Sequence, residues 1–284
     1  TSVNGSYTIE SVGSATVVTC PESVVYNGTA QTPCTATVTG GGGLNQTLTV
    51  PYGSNTNAGT ATANASFAGD ANHSGSNGSG TFQILKAPVT ATAGSGTATY
   101  DGTAKTPSSC AVTGTYTGDL ACTNNPATAG PASGTTTIAP SVTGTGLSNF
   151  NITSVNGSYT ITGVGSTTVV TCPASVTYNG GAQAPCTATV TGAGGLNQTL
   201  TVSYVSNTNA GTATASASFA GDANHSASSD SATFQILKAP VTATAGGGSA
   251  AYDGNTKTPS ACAVTGTYTG DLACTNSPAS VGPG

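Results

Sequence analysis

The stretch VVYNGTAQTPCTATVT, residues 24–39, contains the local signals that decide the fold. Its last six residues alternate between apolar and polar side chains, so that Ala36 and Val38 share one face of a strand and the threonines share the other. Upstream of them, Asn27-Gly28 is a strong signal for a tight turn. The stretch therefore predicts short, half-buried strands joined by a turn.

The same two signals recur on both sides of this stretch. NQTLTV (45–50) and TFQIL (81–85) alternate in the same way and predict further strands. Between them lie turn signals at 40–43, 57–59 and 69–72, each rich in Gly, Asn or Asp. No stretch has a helical pattern of three turns, so the sequence predicts six or seven short strands in a unit of about 75 residues.

An internal repeat extends this pattern over the whole chain. TSVNGSYTI at residues 1–9 returns at 153–161, and residues 1–132 align with 153–284 without a gap, with 107 identities. The differences gather at 75–80 and 95–104. Because these stretches are rich in Gly, Ser and Asn, we expect them to be loops.

A weaker and shorter repeat divides each long one into two types of segment. VVYNGTAQTP (24–33) resembles ATYDGTAKTP (98–107), and the tyrosines of four successive segments lie 74, 78 and 74 residues apart. The unit that returns is thus a pair of segments, A and B, with a combined length of 152 residues. The predicted divisions are the last strand of a preceding B segment (1–10), A1 (11–86), B1 (87–162), A2 (163–238) and an incomplete B segment, B2 (239–284).

Neither end of the sequence coincides with a predicted segment boundary. One interpretation is strand donation, in which residues 1–10 of one molecule complete the last B segment of the next. The counterpart of residues 133–152 would still be absent from that segment. We therefore expect that the sequence is a window on a longer, continuous array.

Composition excludes several classes of protein. Ser and Thr make up 87 of the 284 residues, Gly adds 40, and only 13 residues are charged. Disordered segments are usually charged and poor in β-branched residues, which does not describe this chain. With four Lys and no Arg, the chain cannot assemble a surface that follows phosphates, which excludes nucleic acid as a partner. No apolar run has the length of a membrane span.

The cysteines favour disulfide bonds in an oxidising compartment. They are eight in number and repeat with regular spacing, at Cys20, Cys34, Cys110, Cys122, Cys172, Cys186, Cys262 and Cys274. A zinc site would need close pairs such as C-x-x-C, which do not occur. Pairing within each segment would close loops near 15 residues, each stabilising by roughly 3 kcal/mol in the chain-entropy model. Connectivity remains a hypothesis, since eight cysteines allow 105 pairings.

These patterns predict an all-β protein, a tandem array of small sandwiches with an immunoglobulin-like plan. Three motifs strengthen the prediction: Y-[ND]-G-T-A-x-T-P, F-A-G-D-A-N-H at 67–73 and I-L-K-A-P at 84–88. The chain resembles MBG and related bacterial immunoglobulin-like repeats over nearly its whole length. The resemblance implies tandem β-sandwich modules in large secreted or surface-attached adhesin-like proteins, without catalytic activity. Regular cysteine pairs and very low charge depart from that pattern and suggest a fibre-forming version.

Few residues could bind a metal or take part in a reaction, and those that could recur in both repeats. His73 and His225 are equivalent positions without a second ligand at metal spacing, so we expect loop histidines. Asp70 and Asp222 lack the run of acids that calcium needs, which favours an Asx turn over a calcium site. An isopeptide crosslink from Lys86 or Lys105 would need a buried acid beside it.

The acid that an isopeptide crosslink needs does not recur along the chain, because Glu10 and Glu22 are the only glutamates and neither is repeated. We expect no catalytic residue, no cofactor and no metal site, and therefore no enzyme. A hydrolase has no supporting residues, and an ice-binding surface would need a much shorter repeat than a whole domain.

Glycosylation is permitted by the sequence. Sequons for N-linked sugar occur at Asn4, Asn27, Asn45, Asn64, Asn72, Asn77, Asn151, Asn156, Asn197 and Asn224. Their number only slightly exceeds chance for a chain this rich in Ser and Thr, and O-linked sugar on the threonines is an equal possibility.

The scarcity of charge has a consequence for association. Sheet edges are normally protected by Lys, other charges or Pro, and here such protection is sparse. We therefore expect an extracellular or cell-surface structural protein, a shaft segment of a bacterial fibre whose partners are its own repeats or copies. The alternative is an adhesin module that binds glycan or matrix, which aromatic residues grouped at one loop end would favour.

Overall fold

A computed structural model describes residue 1 and residues 3–283. Ser2 and Gly284, which fall in the predicted segments 1–10 and 239–284, lie outside the described residues. The described chain is all-β, and its helix is limited to single 3₁₀ turns at Gly41–Gly43, Leu147–Asn149 and Ala193–Gly195. None of these turns has the length or the apolar character to cross a membrane.

The chain forms two compact units. The first comprises Thr1–Thr97, Lys105–Ala129 and Thr135–Thr160, and the second comprises Ala98–Ala104, Gly130–Gly134 and Ile161–Gly284.

Residues 11–86 of the first unit, all of them described, contain seven strands. They are β1 (Ser14–Thr19), β2 (Ser23–Val25), β3 (Thr35–Gly40), β4 (Leu44–Thr47), β5 (Tyr52–Gly53), β6 (Gly59–Phe67) and β7 (Ser76–Leu85). They form two sheets, β1-β3-β4 and β2-β7-β6-β5. Ala61 and Phe82 from the second sheet pack in one core with Val18 of the first. Two packed sheets with a shared core are consistent with a β-sandwich.

Seven further strands follow within residues 87–162. They are β8 (Ala87–Thr92), β9 (Gly96–Thr99), β10 (Ala111–Gly114), β11 (Ala121–Asn125), β12 (Gly134–Thr143), β13 (Phe150–Val155) and β14 (Gly157–Thr162). One sheet has the order β10-β8-β13 and the other the order β11-β12-β14-β9. Strand β13 runs parallel to β8, with Phe150 opposite Ala87 and Val155 opposite Thr92.

In the second unit, residues 163–238 form the same two sheets as residues 11–86. Its strands after residue 162 are β15 (Ser166–Thr171), β16 (Ser175–Thr177), β17 (Thr187–Gly192), β18 (Leu196–Thr199), β19 (Ser203–Val205), β20 (Gly211–Phe219), β21 (Ser228–Leu237), β22 (Val241–Thr244) and β23 (Ala263–Gly266). Sheets β15-β17-β18 and β16-β21-β20-β19 enclose a core around Ala213, Ala215 and Phe234. Strands β22 and β23 form a separate two-stranded sheet.

The predicted alternation is present in the strands. In β3, Ala36 and Val38 are 1% and 0% exposed, while the threonines between them face solvent. The strand predicted at 45–50 is shorter than expected, because β4 ends at Thr47.

The loop prediction is wrong for residues 76–80 and 96–99, which lie in β7 and β9. Ser76–Gly80 pairs with Ala63–Phe67 through the backbone. A backbone ladder depends little on which small side chain each position carries, so residues 76–80 and their repeat equivalents 228–232 differ in sequence and still both lie in a strand.

Residues 1 and 3–10, predicted as a strand, form none in the structure. Val3, Tyr7 and Ile9 are 93%, 92% and 81% exposed. Their repeat equivalents in 153–162 have sheet partners and bury Tyr159 and Ile161. The exposed residues have no strand partner in the described structure, and an unpaired segment does not hold a β conformation in water.

Candidate functional sites at the segment junctions

The described residues contain four disulfide bonds, each within one predicted segment. They join Cys20 to Cys34, Cys110 to Cys122, Cys172 to Cys186 and Cys262 to Cys274. The two cysteines of each bond are 14 positions apart in the A segments and 12 positions apart in the B segments. Such a set is typical of secreted proteins matured in an oxidising compartment.

In the first unit an aromatic cluster joins the two cores. Tyr26 follows β2 and packs against the core of residues 11–86 and also against the core around Val89 and Phe150. Its ring meets Tyr116 and Phe150 edge-on, with both centroids at 5.5 Å, and Tyr116 stacks on Phe150 at 6.1 Å. Mutually packed rings stabilise beyond simple burial, so this cluster contributes favourable contacts between the A and B segments.

A buried amide fixes the same junction. Asn149, at the end of the 3₁₀ turn before β13, is 4% exposed. Its Oδ1 accepts a hydrogen bond from the backbone N–H of Ala58 at 2.9 Å, and its Nδ2 donates to Oδ1 of Asn57 at 3.1 Å. A buried amide with both groups paired specifies one geometry, because any displacement would leave a buried polar group without a partner.

The second unit contains an equivalent pair of rings, Tyr178 and Tyr268, with centroids 5.3 Å apart and planes at 88°. It lies at the positions of Tyr26 and Tyr116 displaced by 152 residues. The close approach needs glycine at position 180, where φ is +82° and an added Cβ would meet the Tyr268 hydroxyl at 2.2 Å. The glycine of the Asn-Gly turn therefore has a second role, which is to leave room for a tyrosine from the next segment.

The Asp-His turns are built alike in both A segments. Oδ1 of Asp70 accepts the backbone N–H of Asn72 and of His73, both at 2.8 Å, as in the expected Asx turn. Nδ1 of His73 lies 2.9 Å from Oδ1 of Asp70, and Nε2 lies 2.7 Å from the Gly41 carbonyl oxygen. Both neighbours are acceptors, so both ring nitrogens donate, which requires the imidazolium form.

Electrostatics agree with this protonation state. The hydrogen bond to the Gly41 carbonyl and then that to Asp70 raise the pKa of His73. In the second copy the Ala193 carbonyl and Asp222 raise the pKa of His225, against burial, which lowers it. A histidine whose two nitrogens are both occupied has no lone pair for a proton or a metal. The turn is therefore a structural element, and neither histidine is a general base in this conformation.

A second kind of junction lies within the second unit. The ring of Tyr100 meets His225 edge-on at 5.3 Å. Ser133 donates its backbone N–H to Oδ1 of Asn224 at 2.8 Å, and its hydroxyl donates to the carbonyl of Ala223. Gly194 lies against the Tyr100 ring, and a Cβ added at Gly194 would lie only 2.6 Å from Cε1 of that ring. Residues of segment B1 therefore cover the Asp-His turn of segment A2.

The remaining predicted residues fall on the surface. Nine of the ten sequon asparagines are exposed, and Asn224 is half-buried because of its bond to Ser133. Lys86 is exposed, and so are Glu10 and Glu22, so these glutamates do not supply the buried acid that an isopeptide crosslink needs. No cluster of three potential metal-binding side chains occurs among the described residues.

A hydroxyl-lined cleft of about 880 Å³ lies beside β20 and β21. Its lining includes Ser203, Ser216, Ser229 and Asp230, and it contains no aromatic ring. Binding pockets for small molecules are usually lined by apolar and aromatic groups with a few polar ones, which is the reverse of this lining.

Sequence reasoning missed the aromatic junction and the Asn149 contacts. The tyrosines were visible as repeat markers, but Asn149 and Phe150 lie in the part of the repeat that occurs once in this sequence. Comparison of the chain with protein-family models gives no match, and comparison with curated protein sequences gives none either.

Proposed function

We propose that this chain is a shaft segment of an extracellular fibre, built from immunoglobulin-like A and B modules and carrying no catalytic activity. The observation that carries the proposal is the Tyr26–Tyr116–Phe150 cluster, which packs an A core against the following B core in the first unit. Modules joined by a flexible linker share few contacts, whereas a shaft needs a defined geometry at each junction.

Lateral association has a suitable surface in each A module. The solvent face of the sheet β1-β3-β4 presents Val17, Thr37 and Thr47 side by side, and β15-β17-β18 presents Val169, Thr189 and Thr199 in the same register. These rows have no charge. Uncharged sheet faces that recur along a chain lack the charges that normally keep sheets from associating, which favours packing against another copy.

The alternative, a glycan- or matrix-binding adhesin, has weaker support. Of the ten tyrosines only Tyr7 and Tyr252 are strongly exposed, and they are not in contact with another ring. The hydroxyl-lined cleft beside β20 offers groups that could bond a glycan, but it has no aromatic ring on which a sugar could stack.

Electron microscopy of the native material tests the proposal. We expect ordered filaments whose axial repeat corresponds to one A–B pair. Dispersed particles that bind to a glycan array would refute the shaft and support the adhesin.

A matched pair of variants tests the lateral surface. Thr37→Lys with Thr189→Lys places a charge on the proposed face of both A modules and should abolish bundling. Thr81→Lys with Thr233→Lys adds the same charge on the opposite sheet, at exposed positions of β7 and β21. If both pairs reduce bundling equally, the effect is one of net charge and the proposed face has no special role.

A further inference from the structure

The Asn-Gly turn after β2 and its copy after β16 differ in how firmly the asparagine is held. Of the five places where Gly follows Asn in the chain, only 27–28 and 179–180 are copies of this turn. Their backbones are alike, since φ is +81° at Gly28 and +82° at Gly180, and both asparagines are exposed. A difference in the reactivity of the two asparagines must therefore come from the groups around them.

Three donors hold the asparagine of the first copy. Oδ1 of Asn27 accepts the backbone N–H of Thr29 at 3.0 Å, the hydroxyl of Thr29 at 2.8 Å and the side-chain amide of Gln31. Rotation of the Asn27 amide would break these three hydrogen bonds together, and each contributes to holding it in place.

The second copy has lost two of these donors. Position 181 is glycine where the first copy has Thr29, so no hydroxyl is present, and Oδ1 of Asn179 accepts the backbone N–H of Gly181 at 2.9 Å. Gln183, the equivalent of Gln31, does not replace the hydroxyl: its Nε2 is buried and has no hydrogen-bond partner among the described residues. The amide of Asn179 therefore rotates more easily than that of Asn27.

We propose that Asn179 is a site of spontaneous deamidation and that Asn27 is its protected counterpart. The backbone nitrogen of Gly180 attacks Cγ of Asn179 and gives up its proton, and the side-chain nitrogen takes up a proton and leaves as ammonia. One water then opens the resulting succinimide ring to aspartate or isoaspartate. A following glycine has no Cβ to obstruct the attack. The amide must still turn to present Cγ to the attacking nitrogen, which one hydrogen bond opposes less than three.

The same turn accommodates the aspartate product. The B segments have aspartate at this position, and Oδ1 of Asp101 accepts the backbone N–H and the hydroxyl of Thr103 at 2.9 and 2.6 Å. Aspartate at position 179 would thus keep the turn and add one negative charge. Isoaspartate would instead lengthen the backbone by one atom next to Gly180, where the Tyr268 hydroxyl leaves no room for an added Cβ. The chain therefore contains a slow, irreversible chemical change that needs no enzyme.

Peptide mapping by mass spectrometry tests the site on the full 284-residue chain, made in a host without N-glycosylation and incubated at neutral pH. We expect Asn179 to be converted at least about fivefold faster than Asn27, the factor that corresponds to one net hydrogen bond. In the urea-unfolded chain the two rates should become similar, because both asparagines stand between Tyr and Gly. Equal rates in the folded chain, or the same rate difference in the unfolded chain, would overturn the inference.

Matched variants at position 181 separate the hydroxyl from the bulk of the side chain. Gly181→Thr restores the missing donor and should slow the conversion of Asn179 by about fivefold. Gly181→Val adds a side chain of the same shape without the hydroxyl and should slow it less. If the two variants slow the reaction equally, backbone stiffness is the cause and the proposed role of the lost hydrogen bond is wrong. That outcome leaves the fibre proposal, which microscopy tests separately, unaffected.

Discussion

The contact between Tyr26 and Phe150 should couple the stabilities of the A and B segments in the first unit. The two residues are 124 positions apart in sequence, and their rings meet at 5.5 Å with planes at 85°. An edge-to-face pair of this kind contributes about 0.5–1.5 kcal/mol beyond the burial of each ring. Phe150 is buried in the core of its segment, so Phe150→Ala alone should cost about 3–5 kcal/mol.

A double-mutant cycle of Tyr26→Ala and Phe150→Ala separates the coupling from these single costs. Because a chain with several modules does not unfold in one step, the quantity to measure is the opening free energy of the β8 amides by native-state hydrogen exchange. The pair Tyr52 and Phe82, edge-on at 6.2 Å within one core, serves as a positive control. The pair Phe82 and Phe150, which belong to separate core clusters, should be additive.

A coupling energy below about 0.3 kcal/mol for Tyr26 and Phe150 lies within the scatter of independent sites. That result would mean that the two segments unfold independently despite their contact. The junction would then give the two segments no energetic coupling, and a shaft would lose its main support.

Three further results are expected. Replacing both Cys20 and Cys34 by serine should lower the free energy of unfolding of that segment by about 3 kcal/mol, because the unfolded chain regains the freedom of a 15-residue loop; a denaturant midpoint unchanged from that of the parent chain would contradict this. The raised pKa of His225 means that its contribution to stability is fully present below the unfolded pKa of about 6.5 and is lost as the pH rises through the folded value. The melting temperature should therefore fall between pH 6 and pH 8 more steeply than that of His225→Gln, and parallel curves would refute the imidazolium assignment. In a host that attaches N-linked sugar, peptide mapping should find Asn72 modified and Asn224 unmodified, although both lie in the sequon Asn-His-Ser, because the side-chain amide of Asn224 is bonded to Ser133 and that of Asn72 is exposed; equal occupancy would count against the contact.

The strands and turns of the A segments were readable from the sequence because their causes are local. Alternation at Ala36 and Val38 defines the buried face of β3, and the Asp70 carboxylate forms its turn with the next three residues. Local signals of this type need no knowledge of the rest of the fold. The same holds for the cysteines, whose short spacing is compatible with pairing within a segment.

The junctions could not be read in this way. Phe150 and Tyr26 belong to different predicted segments and are 124 positions apart, and no local pattern marks either residue as a contact. The differences between the two repeat copies are also a poor guide to structure: variation at 76–80 predicts a loop, although the backbone pairs there in β7. A sequence difference between the repeats shows that the side chain at that position can change, and it does not show that the backbone is outside the sheet.

The disulfide bonds have a mechanical consequence. In each 152-residue repeat they bridge separations of only 14 and 12 residues. At roughly 3.4 Å per extended residue, they withhold about 90 Å of the roughly 520 Å that an unfolded repeat could span. A fibre under tension could therefore lengthen by opening its modules one at a time without breaking a covalent bond. Under load, each bond would keep its loop closed, so that the unfolded module has fewer conformations to lose when it refolds.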